Sequence, residues 1–352
     1  MGNRLFSSKV IGWYDEHKRS LPWRSTKDPY KIWLSEIILQ QTRVIQGLPY
    51  YKNFIKTFPT VQALAAAETQ EVLRLWQGLG YYTRARNLHA CAKTVVNSYH
   101  GKFPTTFETL QTLPGIGAYT AAAIASFCFK EPVAVVDGNV YRVLSRFFGI
   151  DTPINSPKGI KEFRDLANSL IDTDKPDEFN QAIMEFGAIQ CTPKNPNCEE
   201  CVLQSNCFAF AKNAQTLLPV KNKAKKPKNR FFNYFIITDR KGQILMKERG
   251  PKDIWQGLHD FYMIETEQKK RTSQLLIEDP FLAKLVESAD VSQTKKSYKH
   301  VLSHQIIHAT FTVVKVGSIQ PIDDYKFYPV KKIDSLPKPV LITRFLTDAQ
   351  LF

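Results

Sequence analysis

The 352-residue sequence predicts a two-domain chain, an all-α domain followed by a smaller α+β domain, from three observations. The length exceeds what one hydrophobic core usually holds. The apolar period changes partway along the chain. At that change lies "VKNKAKKPKNR", a tract with little to bury.

From residue 5 to about 215, apolar residues recur at three- and four-residue spacing with caps or prolines between the runs, as in "TTFETLQTL", "AYTAAAIASFCF" and "EFRDLANSLI". That pattern is helix after helix. Residues 221–230, with five lysines between Lys221 and Lys228, read as an exposed linker. From 231 to 352 the segments "FFNYFIIT", "QILMK", "LHDFYMIE", "HATFTVVKV" and "YKFYPV" are short, β-branched and aromatic, and so predict strands. "SQLLIEDPFLAKLVES" and "PVLITRFLTDAQLF" predict helices.

The charge is unusual: 48 Lys and Arg against 33 Asp and Glu leave +15. Such a balance favours a polyanionic partner, nucleic acid ahead of an anionic membrane, although a basic surface also serves solubility. No run reaches about eighteen apolar residues, and the start lacks the apolar core and cleavage site of a secretion signal. A monomeric, cytoplasmic, nucleoid-associated bacterial protein with no membrane partner is expected. In a reducing compartment, clustered cysteines point to metal ligation ahead of disulfides.

Four of the six cysteines fall in residues 191–207, with spacing C-x6-C-x2-C-x5-C from Cys191, Cys198, Cys201 and Cys207. Four thiolates hold either a tetrahedral zinc or an iron–sulfur cluster. Only one C-x2-C pair is present, which favours a 4Fe-4S cluster. Cys91 and Cys128 sit in helical apolar patterns and read as small core residues.

Three further motifs can carry chemistry. In "LPGIGAYTAAAIASF", Gly115 and Gly117 make a tight turn before a helix, either a plain connection or a place where backbone amides meet a phosphate. In "PVAVVDGNVYRVLSR", Asp137 precedes a helix, as an N-cap or as a carboxylate poised to stabilise a cation. In "DPYKIWLSEIILQQTRV", helical winding puts Glu36 between Ile32 and Trp33, on the side of Gln40 and Arg43. It is either a glutamate at the edge of that face, or one paired to Arg43, or a buried carboxyl whose raised pKa makes it a proton donor.

In this order, Glu36, "GLGYYTRARNL", "LPGIGAYTAAAI", "VVDGNVYRVLSR" and the cysteine spacing, the chain from about Leu21 to Cys207 resembles the helix-hairpin-helix DNA glycosylases with an iron–sulfur cluster, and within them the adenine-specific branch. The resemblance implies base excision repair. A flipped adenine, mispaired with 8-oxoguanine or guanine in double-stranded DNA, is cut from its sugar by hydrolysis of the N-glycosidic bond. It implies that Glu36 protonates the base at N7, that Asp137 stabilises the oxocarbenium-like sugar electrostatically or through a transient covalent bond, and that Asn139 and Tyr119 hydrogen-bond around these carboxylates. Strand-cutting relatives carry a Schiff-base lysine where this chain has Tyr119, so a monofunctional enzyme leaving an abasic site is implied. Trp23 and Arg24 of "LPWR" match positions lining the adenine pocket, and Glu185 matches one facing the exocyclic amine. Gln41 and Tyr81 match residues wedged into the duplex; core packing is the alternative for each aromatic. The cluster is implied to be structural, since its loop holds Lys194 but also Glu199 and Glu200.

The second domain resembles a Nudix-like domain through "IWQGLHDFYMIE" and "HVLSHQIIH". After Gly257 no glutamate-rich, magnesium-binding pattern follows, so pyrophosphohydrolase activity is not expected. Ser303 and His304 match a stretch implied to read 8-oxoguanine, while Leu302 replaces an aromatic. His300, His304 and His308, at four-residue spacing, suit exposed strand or loop positions better than a helical metal site, because the surrounding pattern is β-like. Two other functions fit less of the chain. One is a glycosylase for another base, such as thymine opposite guanine. The other is a non-catalytic DNA-binding module, against which the pairing of Glu36 with Asp137 argues.

Overall fold

The computed structural model of the chain describes residues 3–223, 226–287, 289–293, 296–317, 319 and 322–349. Lys225 of the linker and the last three residues of the C-terminal helical stretch lie outside the described residues. Packing divides the chain into two units: residues up to Ala66 together with Asn87–Lys223, and Ala67–Arg86 together with the residues after Lys223.

The first unit is helical. Its elements are α1 (Asn3–His17), α2 (Pro29–Leu39), α3 (Val44–Thr57) and α4 (Val61–Ala66). After α5 (Thr69–Trp76), which belongs to the other unit, α6 (Tyr82–Tyr99) leads into α7 (Phe107–Leu110), α8 (Ala118–Phe129), α9 (Gly138–Phe148), α10 (Pro157–Leu170), α11 (Pro176–Glu185) and α12 (Phe208–Ala211). Prolines open α2, α10 and α11 at the first turn, where a missing N–H costs nothing. The core joins Phe6 and Val10 of α1 to Val143 and Phe147 of α9, Phe163 of α10 and Phe179 of α11. Alanines 121, 122, 123 and 125 of α8 are all buried, and such small residues let neighbouring helices approach it closely. The "TTFETLQTL" stretch is helical only over Phe107–Leu110, capped by the Thr106 hydroxyl, because the chain then turns into the glycine hairpin. Cys91 is fully buried and Cys128 half-buried, both as core residues.

The second unit holds β1 (Lys228–Thr238), β2 (Ile244–Glu248), β3 (His259–Thr266), α13 (Thr272–Glu278), α14 (Pro280–Val286), β4 (Asp290–Gln293), β5 (Tyr298–Val301), β6 (Gln305–Lys315), β7 (Lys326–Tyr328), α15 (Val330–Ile333) and α16 (Val340–Asp348). The strands form one mixed sheet in the order β4-β6-β1-β3-β2-β7, with β5 also on β6. β1 runs parallel to β6 and antiparallel to β3. Its apolar run is buried on both faces. Phe235 and Ile237 meet Leu275 of α13 and Leu282 of α14, while Tyr234 on the opposite face stacks on Phe311, which stacks in turn on Phe345 of α16.

Three boundaries differ from the sequence expectation. The linker ends at Pro227, because Lys228–Arg230 already pair with β6. The stretch 273–288, expected to be helical, forms two helices, α13 and α14, because Asp279 caps the second and Pro280 opens it; its last residue, Ser288, lies outside the described residues. Residues 67–86 pack with the C-terminal unit, where Val72, Leu73 and Trp76 are buried. Among the described residues no helix is long and apolar enough to cross a membrane.

Candidate active site

A cavity of about 680 Å³ in the first unit is lined by Trp23, Arg24, Glu36, Gln41, Tyr119, Asp137, Asn139, Gln181 and Glu185, among others. Arg19 and Glu185, 166 positions apart in sequence, therefore share one wall.

Glu36 sits mid-α2, only 5 % exposed, in a helix whose neighbours Ile32, Trp33 and Ile37 are core. Its partner is the Tyr119 hydroxyl, which donates to Oε2 at 2.5 Å, so the buried carboxyl is the reading found and, among the described residues, Arg43 does not pair with it. Burial pushes its pKa up to about 7, against the Tyr119 hydrogen bond, and the nearby Asp137 charge adds to the rise. A carboxyl so placed is protonated near neutrality.

Asp137 is both cap and site. Its Oδ1 accepts the backbone N–H of Asn139 and Val140, each at 2.8 Å, which opens α9. Its Oδ2 accepts from the Asn139 amide at 2.7 Å. Burial raises its pKa while these three donors and the Arg142 charge oppose the rise. The two carboxyls thus differ in kind: Glu36 has one donor and an apolar setting, Asp137 three donors. Arg142 holds the arrangement from behind, donating to Asn139 Oδ1 (2.8 Å), Gly187 O (2.5 Å) and Cys191 O (2.7 Å).

Trp23 lies edge-on to Tyr51 in the short turn Pro22–Arg24. Glu185, 1 % exposed, does reach the cavity, but Arg19 takes it through Nε and Nη2 and Arg24 through Nη2, all at 2.7 Å. Burial alone would raise its pKa, and the two guanidinium groups hold it down at about 2. Both of its oxygens accept from these arginines. One turn earlier on α11, Gln181 accepts from Tyr14 through Oε1, and among the described residues its Nε2 meets no acceptor. Sequence reasoning missed Arg19, Arg142 and Gln181. Only Gln181 had a signal, the four-residue spacing from Glu185 that puts both on one helix face.

Gln41, between α2 and α3, has φ +60° and Tyr81 has φ +50°. Left-handed backbone is uncommon for residues with a side chain and concentrates where function holds it. Gln41 is on the cavity rim, whereas Tyr81, 53 % exposed, belongs to the C-terminal unit. There its hydroxyl lies 2.6 Å from Ser303 Oγ. Ser303 and His304 are exposed at the tip between β5 and β6, closed by a hydrogen bond from Leu302 N to Gln305 O. His300 and His308 lie on those two strands, as the β-like pattern predicts. Gly115 has φ +73°, with Asn87 where a side chain would stand, and Gly117 caps α8.

Cys191, Cys198, Cys201 and Cys207 line one chamber with Val143, Phe147, Phe186 and Leu203. Arg146 donates to Cys191 Sγ at 3.4 Å and to the carbonyls of Thr192 and Pro193. Among the described residues no three His, Cys, Asp or Glu side chains converge closely enough for a single metal ion. Thiols spread around an apolar chamber beside an arginine fit a cluster better than one zinc. Protein purified without oxygen is expected to carry about four irons per chain. Iron and zinc analysis checks this, and one zinc with no iron overturns it.

Residues 34–168 match the HhH-GPD superfamily of base excision DNA repair proteins, 191–207 the iron-sulfur binding domain of endonuclease III, and 233–348 the NUDIX domain. The adenine DNA glycosylase of Buchnera aphidicola subsp. Schizaphis graminum is 34% identical over 344 residues, 96% of each chain. The human adenine DNA glycosylase is 45% identical over 213 residues, 58% of this chain and 39% of that one. Among solved structures, a thermostable thymine-DNA glycosylase matches 60% of this chain and 97% of its own, with TM-score 0.56 and 31% identity. A non-covalent endonuclease III–DNA complex shares the fold, with TM-score 0.53 and 19% identity over 61% of this chain and 99% of that one.

Proposed function

The chain belongs to the adenine DNA glycosylases, and from that premise we propose that it excises adenine mispaired with 8-oxoguanine or guanine, acts as a single chain, and stops at the abasic site. The observation that carries the chemistry is the contrast, among the described residues, between Glu36, held by Tyr119 alone, and Asp137, held by three donors.

Adenine is a poor anionic leaving group. Protonated Glu36 gives its proton to N7, and the C1′–N9 electron pair leaves with a now neutral base. The sugar is left cation-like, and the Asp137 carboxylate, fixed by its donors before the reaction, stabilises it without reorganising. Glu36, now a carboxylate, takes a proton from the water that adds to C1′. Asn139 and Tyr119 orient the two carboxyls, while Trp23, Arg24 and the amide of Gln181 face the base. Cys191, Cys198, Cys201 and Cys207 would hold the iron–sulfur cluster, which would lend rigidity to their loop beside Arg142 and Arg146.

Two features support the absence of strand cutting. Residue 119 is tyrosine, and Lys27, the one lysine lining the cavity among the described residues, is tied to Asp177 at 2.6 Å. The amides at the Gly115–Gly117 hairpin are proposed to take a DNA phosphate, Gln41 and Tyr81 to wedge into the duplex, and Ser303 and His304 to read 8-oxoguanine. The similarity to a thymine-DNA glycosylase makes a T:G substrate the reading to test against.

Single-turnover excision on A:8-oxoG, A:G and T:G duplexes, followed by alkali treatment, tests the proposal. Cleavage of adenine strands only after alkali is expected; thymine release, or strand scission without alkali, overturns it. Changing Ser303 and His304 together to alanine is expected to leave A:G excision largely intact and to erode the preference for A:8-oxoG by roughly ten- to hundredfold, the worth of one or two hydrogen bonds. Equal losses on both duplexes would assign the tip to general affinity. The comparison is made at fixed salt, because a net charge of +15 makes binding salt-sensitive.

A further inference from the structure

After Gly257 the chain enters β3 directly, and the Arg249–Leu258 loop that leads there is built around one buried guanidinium. Arg249 is 8 % exposed. Its Nε and Nη2 donate to the two oxygens of Asp253 at 2.7 and 2.5 Å, and its Nη1 donates to Asp260. Tyr234 donates to the same Asp260 oxygen at 3.2 Å, and the rings of Phe232 and Trp255 face the guanidinium at 5.7 and 5.6 Å. The backbone closes over this centre through Arg249 N to Leu258 O and Gly257 N to Arg249 O, both 2.9 Å. A rigid loop results, with carbonyls left for other partners.

Those partners are in residues 67–86. Gln70 donates to Gly257 O at 3.1 Å and Arg86 to Gln256 O at 2.9 Å. The Leu73 side chain fills the space a Cβ at Gly257 would take, 2.9 Å away, where φ is +82°. Gln77 bonds Thr343 Oγ1 and Lys338 N. Between these anchors the chain turns, Trp76 Nε1 donates to Gly80 O, and Tyr81 emerges under the Arg84 guanidinium with its hydroxyl on Ser303.

We propose that the Arg249–Leu258 loop is a docking platform for residues 67–86, and that Arg249, clamped by Asp253 and Asp260, is a positioning residue that sets Tyr81 against Ser303. A Nudix-like domain without the glutamate-rich helix thereby uses this loop to place a DNA-facing side chain. The functional half rests on the lesion-reading role proposed above for Ser303.

Replacing Arg249 alone strands the buried Asp260 carboxylate and the half-buried Asp253, so two gentler variants carry the test. Gln70→Ala/Arg86→Ala removes the hydrogen bonds from the docked side. Arg249→Met/Asp253→Asn/Asp260→Asn removes the clamp without leaving a net charge. In the full chain, both are expected to speed amide hydrogen exchange over residues 77–86 about tenfold and to lower the A:8-oxoG over A:G excision ratio about five- to tenfold, with A:G excision little changed. In a Ser303→Ala background neither is expected to lower the ratio further. Unchanged exchange in both variants overturns the platform. A loss of ratio that adds fully to that of Ser303→Ala overturns the positioning role. Faster exchange together with a ratio that Ser303→Ala itself leaves untouched retains the platform and rejects the lesion-reading role of Ser303.

Discussion

Glu36→Gln abolishes adenine release, by roughly 10³-fold or more, while the mispaired duplex is still bound, because glutamine keeps the shape and the Tyr119 contact but has no proton to give. Single-turnover excision and binding on the same duplex check this, and excision within about tenfold of wild type would reject the proton-donor role. The donor must be protonated, so the wild-type rate falls as pH rises through about 7. The same shift acts on stability. The folded carboxyl holds its proton more tightly than the unfolded one, so its contribution is complete below pH 4.5 and is lost as pH rises through about 7. That displacement corresponds to about 3 kcal/mol. Glutamine does not titrate, and Glu36→Gln should therefore match wild-type stability in acid and exceed it by up to about 3 kcal/mol above neutrality. Urea melts across that pH range read the difference, and parallel pH profiles for the two proteins would refute burial as its source.

Asp137→Asn separates a charge from a cap. Asparagine caps helices about as well as aspartate, so it can still accept the N–H groups of Asn139 and Val140 and keep α9 in place. What is lost is the negative charge facing the sugar together with the Oδ2 acceptor of the Asn139 amide, and excision is expected to drop about 10²- to 10³-fold with a destabilisation of about 1 kcal/mol. Asp137→Ala removes cap and charge together, and should add about 1 kcal/mol of destabilisation to the same catalytic loss. If the asparagine variant retains full activity, the carboxylate is only a cap and cation stabilisation must come from elsewhere.

Much of this was legible in the chain itself. The helical run, the period change after the lysine-rich tract and the cysteine spacing are local patterns, and local patterns survive in sequence because each residue's neighbours three, four or two positions away set its environment. Asp137 before a helix and Glu36 among apolar residues were both visible, each with two readings. The fold assigned both meanings to Asp137, and it gave Glu36 a tyrosine in place of Arg43.

Long-range meetings were decided in the folded chain, and of these the resemblance implied only that Tyr119 lies by the carboxylates. Glu185 meets Arg19 across 166 positions, Tyr119 meets Glu36 across 83, and Tyr81 meets Ser303 across 222. Residues 67–86 left the helical unit to which their periodicity assigned them, because buried Leu73 and Trp76 and the side chains of Gln70, Gln77 and Arg86 found their partners in the C-terminal unit. Periodicity specifies which face of an element is apolar, but it carries no information on what that face will meet. Which of several carboxylates is left with a single donor, and so kept protonated, depends on those distant meetings.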